Sequence, residues 1–225
     1  MSEQRRPFAN ASIVVQPTPN LPASQVARAR QLGTATLHEA AGRIGALPSA
    51  IKPSAPSFRL AGPALTVHSP PNDNLWIHRA MTVASPGDVL VVYASGFYEA
   101  GYWGEIMSTA AATSRLGGLV IDACVRDGAL LEEIGFPVFS RGLCISGTGK
   151  DFGATGWINK PVMMGDVLVN PGDLIVGDVD GVVAIPREHV DAVLTASEQR
   201  EATERGILNR LRAGETTLNV FGLDR

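Results

Sequence analysis

Glu105, Arg126 and Asp127 bracket one apolar run near the middle of this 225-residue chain. Glu105 precedes a stretch rich in Ala, Ser and Thr. Arg126 and Asp127 follow Gly118-Leu-Val-Ile-Asp122. The chain is only 18% charged, so that placement asks for a chemical reason. Mg²⁺ commonly binds through one or two carboxylates and keeps several waters, and Asp127 suits that role. Arg126 suits a keto oxygen or carboxylate, which its planar fork can grip, and it would stabilise a developing enolate. The amides of Gly104 to Ile106, at a helix start, can take a substrate carboxylate, and the Glu105 side chain can hydrogen-bond a metal-bound water. Together these residues read as a metal-assisted site for an α-keto acid. The plainer reading makes Asp127 a helix cap, Glu105 a first-turn acid and Arg126 a surface residue.

Other candidates are weaker. Gly147-Thr-Gly-Lys150 fails the phosphate-loop pattern GxxxxGK[ST], because Asp151 follows Lys150 and no Gly lies at position 144. Nothing in the sequence marks Lys150, Lys52 or Lys160 as a Schiff-base lysine. His38-Glu39 would need a His at position 42 for a zinc-protease helix, and Gly42 stands there. His68, His78 and His189 have no partners at ligand spacing and read as structural, while His38 stays a catalytic candidate. Glu198, Glu201 and Glu204 share one helical face. They read as a solvated face beside Arg200, Arg205 and Arg210, or as a source of one carboxylate for a neighbouring subunit's site. Cys124 and Cys144 lack a CxxC spacing and sit in apolar surroundings, so both are expected to be buried free thiols.

These residues must be held by α/β structure. A Pro-rich arm is expected over 1–23, with Ile13-Val-Val15 as a short strand or a docking segment. Ser24 reads as the cap of a helix over Gln25–Leu32, and a second short helix covers Thr36–Ala40. Pro48 to Pro56 reads as a loop. Strands are expected over Leu60–His68 and Val89–Tyr93, separated by a helix that Asp73 or Asn74 caps and that runs to about Val83. Helices over Glu105–Leu116 and Leu130–Ile134 alternate with strands over Gly118–Asp122 and Pro137–Ser140. Apolar runs such as Val89–Tyr93 belong to strands covered on both faces. Beyond the glycine-rich segment 142–156, strands are expected over Val162–Met164, Val167–Val169, Leu174–Val176 and Val182–Ile185. Asp178-Val-Asp-Gly181 resembles a hairpin turn. A long helix spans about Arg187–Arg212 with Val190, Val193 and Leu194 inward, and Gly214 stops it. The division is an arm (1–23), one α/β domain (24–214) and a tail (215–225).

Composition narrows the function further. A net charge of −3 and a pI near 5.8 argue against broad nucleic-acid binding. Arg outnumbers Lys by 16 to three, which suits planar anionic ligands. No apolar run approaches a membrane span, and Arg5-Arg6 leads into no signal-peptide core, so a cytoplasmic protein is expected.

Several segments resemble the superfamily named for the regulator of ribonuclease activity A. Within it they are most similar to the 4-hydroxy-4-methyl-2-oxoglutarate and 4-carboxy-4-hydroxy-2-oxoadipate aldolases. The segments include Thr36-Leu-His-Glu-Ala-Ala-Gly-Arg43, Gly62-Pro-Ala-Leu-Thr-Val67, Asp73-Asn-Leu75 and Pro86-Gly-Asp-Val-Leu-Val-Val92. Gly104-Glu105, Val125-Arg-Asp127, Gly135-Phe-Pro-Val-Phe139 and Pro171-Gly-Asp-Leu-Ile-Val-Gly-Asp-Val-Asp-Gly-Val-Val183 complete the set. The resemblance implies a single-domain, layered αββα sandwich in homotrimers or homohexamers, with active sites between subunits. It implies Mg²⁺- or Mn²⁺-dependent aldol cleavage of a 4-hydroxy-2-oxo acid, releasing pyruvate plus an oxo-acid, and oxaloacetate decarboxylation through the same pyruvate enolate.

By position, the resemblance makes Asp127 the metal ligand and Arg126 the pyruvyl-binding residue. The amides of Glu105 and Ile106 receive the substrate carboxylate, with Gly104 beside them. The Glu105 carboxylate acts on the metal through water, as does Glu201 of an adjacent subunit. Asn74 and Lys150 fall at substrate-side polar positions. Tyr93 stands where the family often has Asp, and the loop Ala94–Tyr102 is this chain's own; both are expected to bear on the substrate. Some relatives are reported as protein-binding regulators of a ribonuclease without chemistry, and a relative that binds its ligand without turnover is a further alternative.

Overall fold

The computed structural model describes residues 17–224, so residues 13–15 and most of the arm lie outside the described residues. In chain order the elements are α1 (Ala23–Ala29), α2 (Thr34–Ala40), β1 (Lys52–Pro53), β2 (Leu60–His68), α3 (Leu75–Met81) and β3 (Val89–Tyr93). Next come α4 (Glu105–Thr113), β4 (Gly118–Ile121), α5 (Gly128–Ile134), β5 (Val138–Ser140) and β6 (Trp157–Ile158). The hairpins β7 (Val162–Met164)/β8 (Val167–Val169) and β9 (Leu174–Asp178)/β10 (Gly181–Ile185) follow. A 3₁₀ turn (Arg187–His189), α6 (Val190–Arg212) and α7 (Thr217–Phe221) end the chain.

The main sheet runs β1-β5-β4-β3-β2-β9-β10, with β6 also paired to β2. From β5 to β2 the strands are parallel, because each pair is joined by one crossover helix: α3, α4 or α5. β2 belongs to two sheets. Its first half, Leu60 to Pro63, pairs antiparallel with β9, and Ala64 to His68 pair with β3.

Side-chain alternation sorts the buried strands into layers. Leu90, Val92, Leu119, Ile121 and Val138 face one core with Ile77, Met107, Ala111 and Leu131 of α3–α5. The intervening residues Val89, Val91, Val120 and Phe139 face a second core with Ile175, Val182 and Ala184 of the β9/β10 hairpin. The hairpin's other face, Leu174, Val176, Val183 and Ile185, packs against Leu37, Val190 and Leu194 of α2 and α6. The order is helices, sheet, sheet, helices, which is the αββα sandwich the resemblance implies.

Several boundaries differ from the sequence reading. Ser24 is not a cap: α1 starts at Ala23 behind Pro22, and its end tightens through bonds from Gln31 N to Arg28 O and from Leu32 N to Ala29 O. β1 falls inside the expected Pro48–Pro56 loop, and β6 in a stretch for which the sequence predicts no element. Both are two-residue strands that exist through antiparallel pairing with β5 and β2, and no periodicity can announce them. The tail holds α7, capped by Thr216. α4 ends at Thr113, and Arg115 takes the left-handed position (φ 57) past its cap. Cys124 is buried as expected, but Cys144 is only half-buried; both are free.

One carboxylate adds a polar tie to the apolar contact between α2 and the β9/β10 hairpin. Buried Asp178, at the end of β9, accepts from Thr34 N at 2.9 Å and from Thr34 Oγ1 at 2.7 Å. Burial, the largest influence, pushes its pKa up. The Thr34 bonds, the Asp180 amide and Arg59 outweigh it and hold the acid below the usual carboxylate range. A depressed folded pKa gives stability that is present above the ordinary value and lost as pH falls through the folded one. Asp178→Ala is expected to cost about 1–3 kcal/mol in urea unfolding at pH 7, the penalty of orphaning a buried donor. The deficit against wild type should shrink below about pH 4; an equal deficit at pH 7 and pH 3.5 would refute this account.

Candidate active site

β3 and β4 end side by side, and the segments that follow them meet at the N-terminus of α4. Residues past β3 deliver Gly101 to Gly104 and then Glu105. Residues past β4 deliver Arg126 and Asp127 ahead of α5. Arg126 N donates to Trp103 O at 2.8 Å, and Gly101 N donates to Ser146 O at 2.7 Å, so the two segments are laced to each other and to the glycine-rich loop. Trp103 anchors the lacing: it is fully buried, with Nε1 donating to Ser108 Oγ at 2.6 Å.

Asp127 occupies the cap position of α5 in the left-handed region (φ 61), which Asp tolerates better than most residues. It does not cap its own helix. Its Oδ2 instead accepts from Glu105 N, the first amide of α4, at 3.0 Å. Thus the plain cap reading of Asp127 fails in its local form, and the wider reading needs one correction. The Glu105 amide, expected to receive a substrate carboxylate, is taken by Asp127. The Ile106 amide is among the first-turn donors that a helix leaves unpaired.

Gly104 is required for this approach. A Cβ there would lie 2.3 Å from Asp127 Oδ2, and one on Gly101 would meet the Arg126 side chain at 3.1 Å. Arg126 Nε stands 3.7 Å from Asp127 Oδ2, with both side chains partly open to solvent.

These residues line a cavity of about 250 Å³ with Asn74, His78, Tyr102, Thr148 and Lys150. Asn74 is buried; its Nδ2 donates to Tyr102 O at 2.9 Å, while its Oδ1 has no partner among the described residues. The residue lines the cavity. Buried Asp73 fixes the wall. Its Oδ1 caps Leu75 N at 2.8 Å, and its Oδ2 accepts from Asp151 N, beside Lys150. The choice between Asp73 and Asn74 as the cap of α3 therefore falls to Asp73, which frees Asn74 for the cavity.

His78 is placed at the cavity although nothing in its spacing to other histidines singles it out. Read as structural, it lines the cavity one helical turn beyond Asn74, and the i,i+4 spacing was the signal that could have found it. Burial, and next the Lys150 charge, lower its pKa, against a smaller opposing effect of Asp73. His38, the other candidate, bonds Ile44 O at 3.0 Å through Nδ1 and does not line the cavity.

The three helical glutamates do not line it either. Glu198 is held by Arg28 at 2.8 Å and Glu204 by Arg200 at 2.9 Å; Glu201 has only a 4.0 Å contact with Arg205 and is the least committed.

Among the described residues no group of three or more His, Cys, Asp or Glu is placed to hold a metal. A one-carboxylate Mg²⁺ or Mn²⁺ site does not need one. Asp127, with room kept beside it by Gly104 and with open space toward the cavity, fits that kind of site. No helix among the described residues is long and apolar enough to cross a membrane.

A four-layered α/β sandwich with an Arg-Asp turn against a helix N-terminus defines a class, and comparison with known proteins agrees. The chain belongs to the RraA-like Aldolase/RraA family, matching it over residues 34–184. It is 37% identical over 188 residues to a Halalkalibacterium halodurans protein named "Putative 4-hydroxy-4-methyl-2-oxoglutarate aldolase", an alignment covering 82% of this chain and 89% of the relative. A crystal structure of an uncharacterized protein from Pseudomonas syringae pv. tomato str. DC3000 superposes with TM-score 0.76 at 29% identity, covering 88% of this chain and 96% of that one. Streptomyces coelicolor RraAS2, described as an unusual member of the RNase ES inhibitor RraA protein family, gives 0.73 at 25% identity over 84% and 98% of the two chains.

Because the Lys150 charge adds to burial in lowering His78, Lys150→Ala is expected to move the His78 titration upward toward the usual histidine value without reaching it, since burial remains. NMR of the imidazole C–H signals would read this, and an unmoved titration would show that the two side chains do not interact.

Proposed function

We propose that the protein is a divalent-metal-dependent aldolase that cleaves a 4-hydroxy-2-oxo acid to pyruvate and a second oxo-acid, with oxaloacetate decarboxylation as a second activity. The observation that carries this reading is the convergence of Arg126, Asp127, the α4 N-terminus, Asn74 and Lys150 on one small cavity. The aldolase name borne by a relative at 37% identity supports it.

In this reading Asp127 holds Mg²⁺ or Mn²⁺, which supplies Lewis-acid stabilisation of negative charge on the 2-keto oxygen. Arg126 holds the same end of the substrate through its guanidinium and favours the charge that develops there. The unpaired Ile106 amide at the α4 N-terminus takes the C1 carboxylate. Asn74 lines the substrate side of the cavity, and Lys150 meets the distal carboxylate. His78, neutral near pH 7, accepts the hydroxyl proton. The C3–C4 bond then breaks, its electron pair forming pyruvate enolate, and the proton returns to C3 to give pyruvate. Oxaloacetate loses CO₂ to the same enolate, so one site serves both reactions. Glu201 of an adjacent subunit, in a homotrimer or homohexamer, would close the open side of the cavity.

Pyruvate release from oxaloacetate and from 4-hydroxy-4-methyl-2-oxoglutarate is the test. Turnover is expected to vanish with EDTA and return with Mg²⁺ or Mn²⁺. Arg126→Ala and Asp127→Ala should each lose on the order of 10²–10³ in kcat, and His78→Ala roughly 10²–10⁴. Undiminished metal-dependent turnover in Asp127→Ala would overturn the assignment. A folded wild-type protein inactive on both substrates would overturn the catalytic reading in favour of a binding role.

A further inference from the structure

The candidate active site sits at the C-terminal ends of the parallel strands. A second, larger cavity, about 440 Å³, opens at their N-terminal ends. It lies on the order of 15 Å away, the length of a five-residue strand. Its lining comes from the residues that lead into β3, β4 and β5 (Gly87, Arg115 to Gly117 and Pro137), together with Arg30 and Arg59. Leu60, Leu116, Pro137 and Val176 supply its apolar surface.

The wall is unusual in charge. Arg30, Arg59 and Arg115 all line the cavity, and no Asp or Glu does. Arg30 and Arg115 form no ion pair among the described residues, and Arg59 has only a 3.8 Å contact with Asp178. Arg28, Arg43, Arg200 and Arg210 are by contrast each paired with a carboxylate within 3.1 Å. Three arginines lining one cavity, with Asp178 near only one of them, leave a net positive charge that a bound anion would offset.

The backbone around them is already satisfied. Gly87 N donates to Arg115 O at 2.9 Å, and Gly117 N donates to Asp88 O at 2.7 Å. Arg115 also holds its left-handed conformation at the position past a helix end that ordinarily falls to glycine. The remaining recognition chemistry is therefore three guanidinium forks over an apolar floor.

We propose that this cavity binds a small organic polyanion: two or three carboxylate or phosphate groups on a short frame, each met by a guanidinium fork. The site is separate from the proposed catalytic cavity and does not depend on the reading of that cavity.

Isothermal titration of the full chain with citrate and, in parallel, with pyrophosphate tests this and tells the carboxylate source from the phosphate source. At least one probe is expected to bind, more weakly as salt rises. Arg115→Gly, which removes the guanidinium and suits the local backbone, should weaken binding roughly tenfold, as for loss of one charge-assisted contact. Arg30→Ala should do the same, and the double variant should abolish binding. Arg126→Ala, in the other cavity, should bind as wild type. Binding of neither probe, binding that survives in the double variant, or binding lost in Arg126→Ala would each overturn the proposal. So would a change of oligomeric mass in the double variant with no anion binding by wild type, which would make these arginines contacts between copies.

Discussion

The arrangement of the candidate site depends on the bond from the Glu105 amide to Asp127 Oδ2. It joins the segment after β3 to the segment after β4 at the point where α4 begins. Its geometry is narrow. Asp127 must accept a left-handed backbone, and residue 104 must carry no side chain. The arrangement places a carboxylate, a guanidinium and a helix N-terminus within one cavity. The carboxylate offsets the positive end of the α4 dipole and still presents its face to the cavity. A residue that only capped a helix would need neither the neighbouring arginine nor the open space before it.

The same device recurs elsewhere in the chain. Asp178 caps α2 from the end of β9, and Asp73 caps α3 while also holding the Lys150 segment. Asp173 accepts from Asn170 N and, more loosely, from Arg187 N ahead of α6. From α1 to α6, no residue at the assigned cap position offers its own side chain. The starts of α2, α3 and α4 and the turn before α6 are tied down by carboxylates from strand ends or preceding turns, so these helices are fixed to the rest of the fold at the places where helices are weakest. Such buried acids are costly unless fully bonded, which is why their partners are backbone amides with fixed direction.

Remote capping also explains what could be read from the sequence. The strands from Leu60 to Phe139 and the two later hairpins were legible, because continuous apolar runs between turns mark strands covered on both faces. The inward stripe of α6, Val190, Val193 and Leu194, was legible from helical spacing and is buried as read. Arg126, Asp127, Asn74 and Lys150 were legible as candidates, and the fold brings all four to one cavity. Local cap rules failed at Ser24, where Pro22 opens the helix, and at Asp127, whose partner is 22 residues away. β1 and β6 exist through pairing alone. His78 has no histidine at ligand spacing, and its neighbour on the cavity is an asparagine one turn earlier.

Tyr93 and the loop after it were expected to bear on the substrate, and their places in the fold separate the two. Tyr93 ends β3 half-buried against the second core, with its ring 5.8 Å from that of His68, and it does not line the cavity. Its exchange for a smaller acid would act first on packing. The loop behaves differently, because its last residues, Gly101 and Tyr102, are part of the cavity wall. The buried Tyr102 hydroxyl accepts from Asn72 N at 2.7 Å and donates to Phe97 O at 3.1 Å, stitching the loop to the turn before α3. The Tyr102 carbonyl in turn orients Asn74. A change in loop length or composition would therefore reach the cavity through the position of Asn74 and of the Gly101 backbone, so the shape of the cavity depends on that stitching more than on Tyr93.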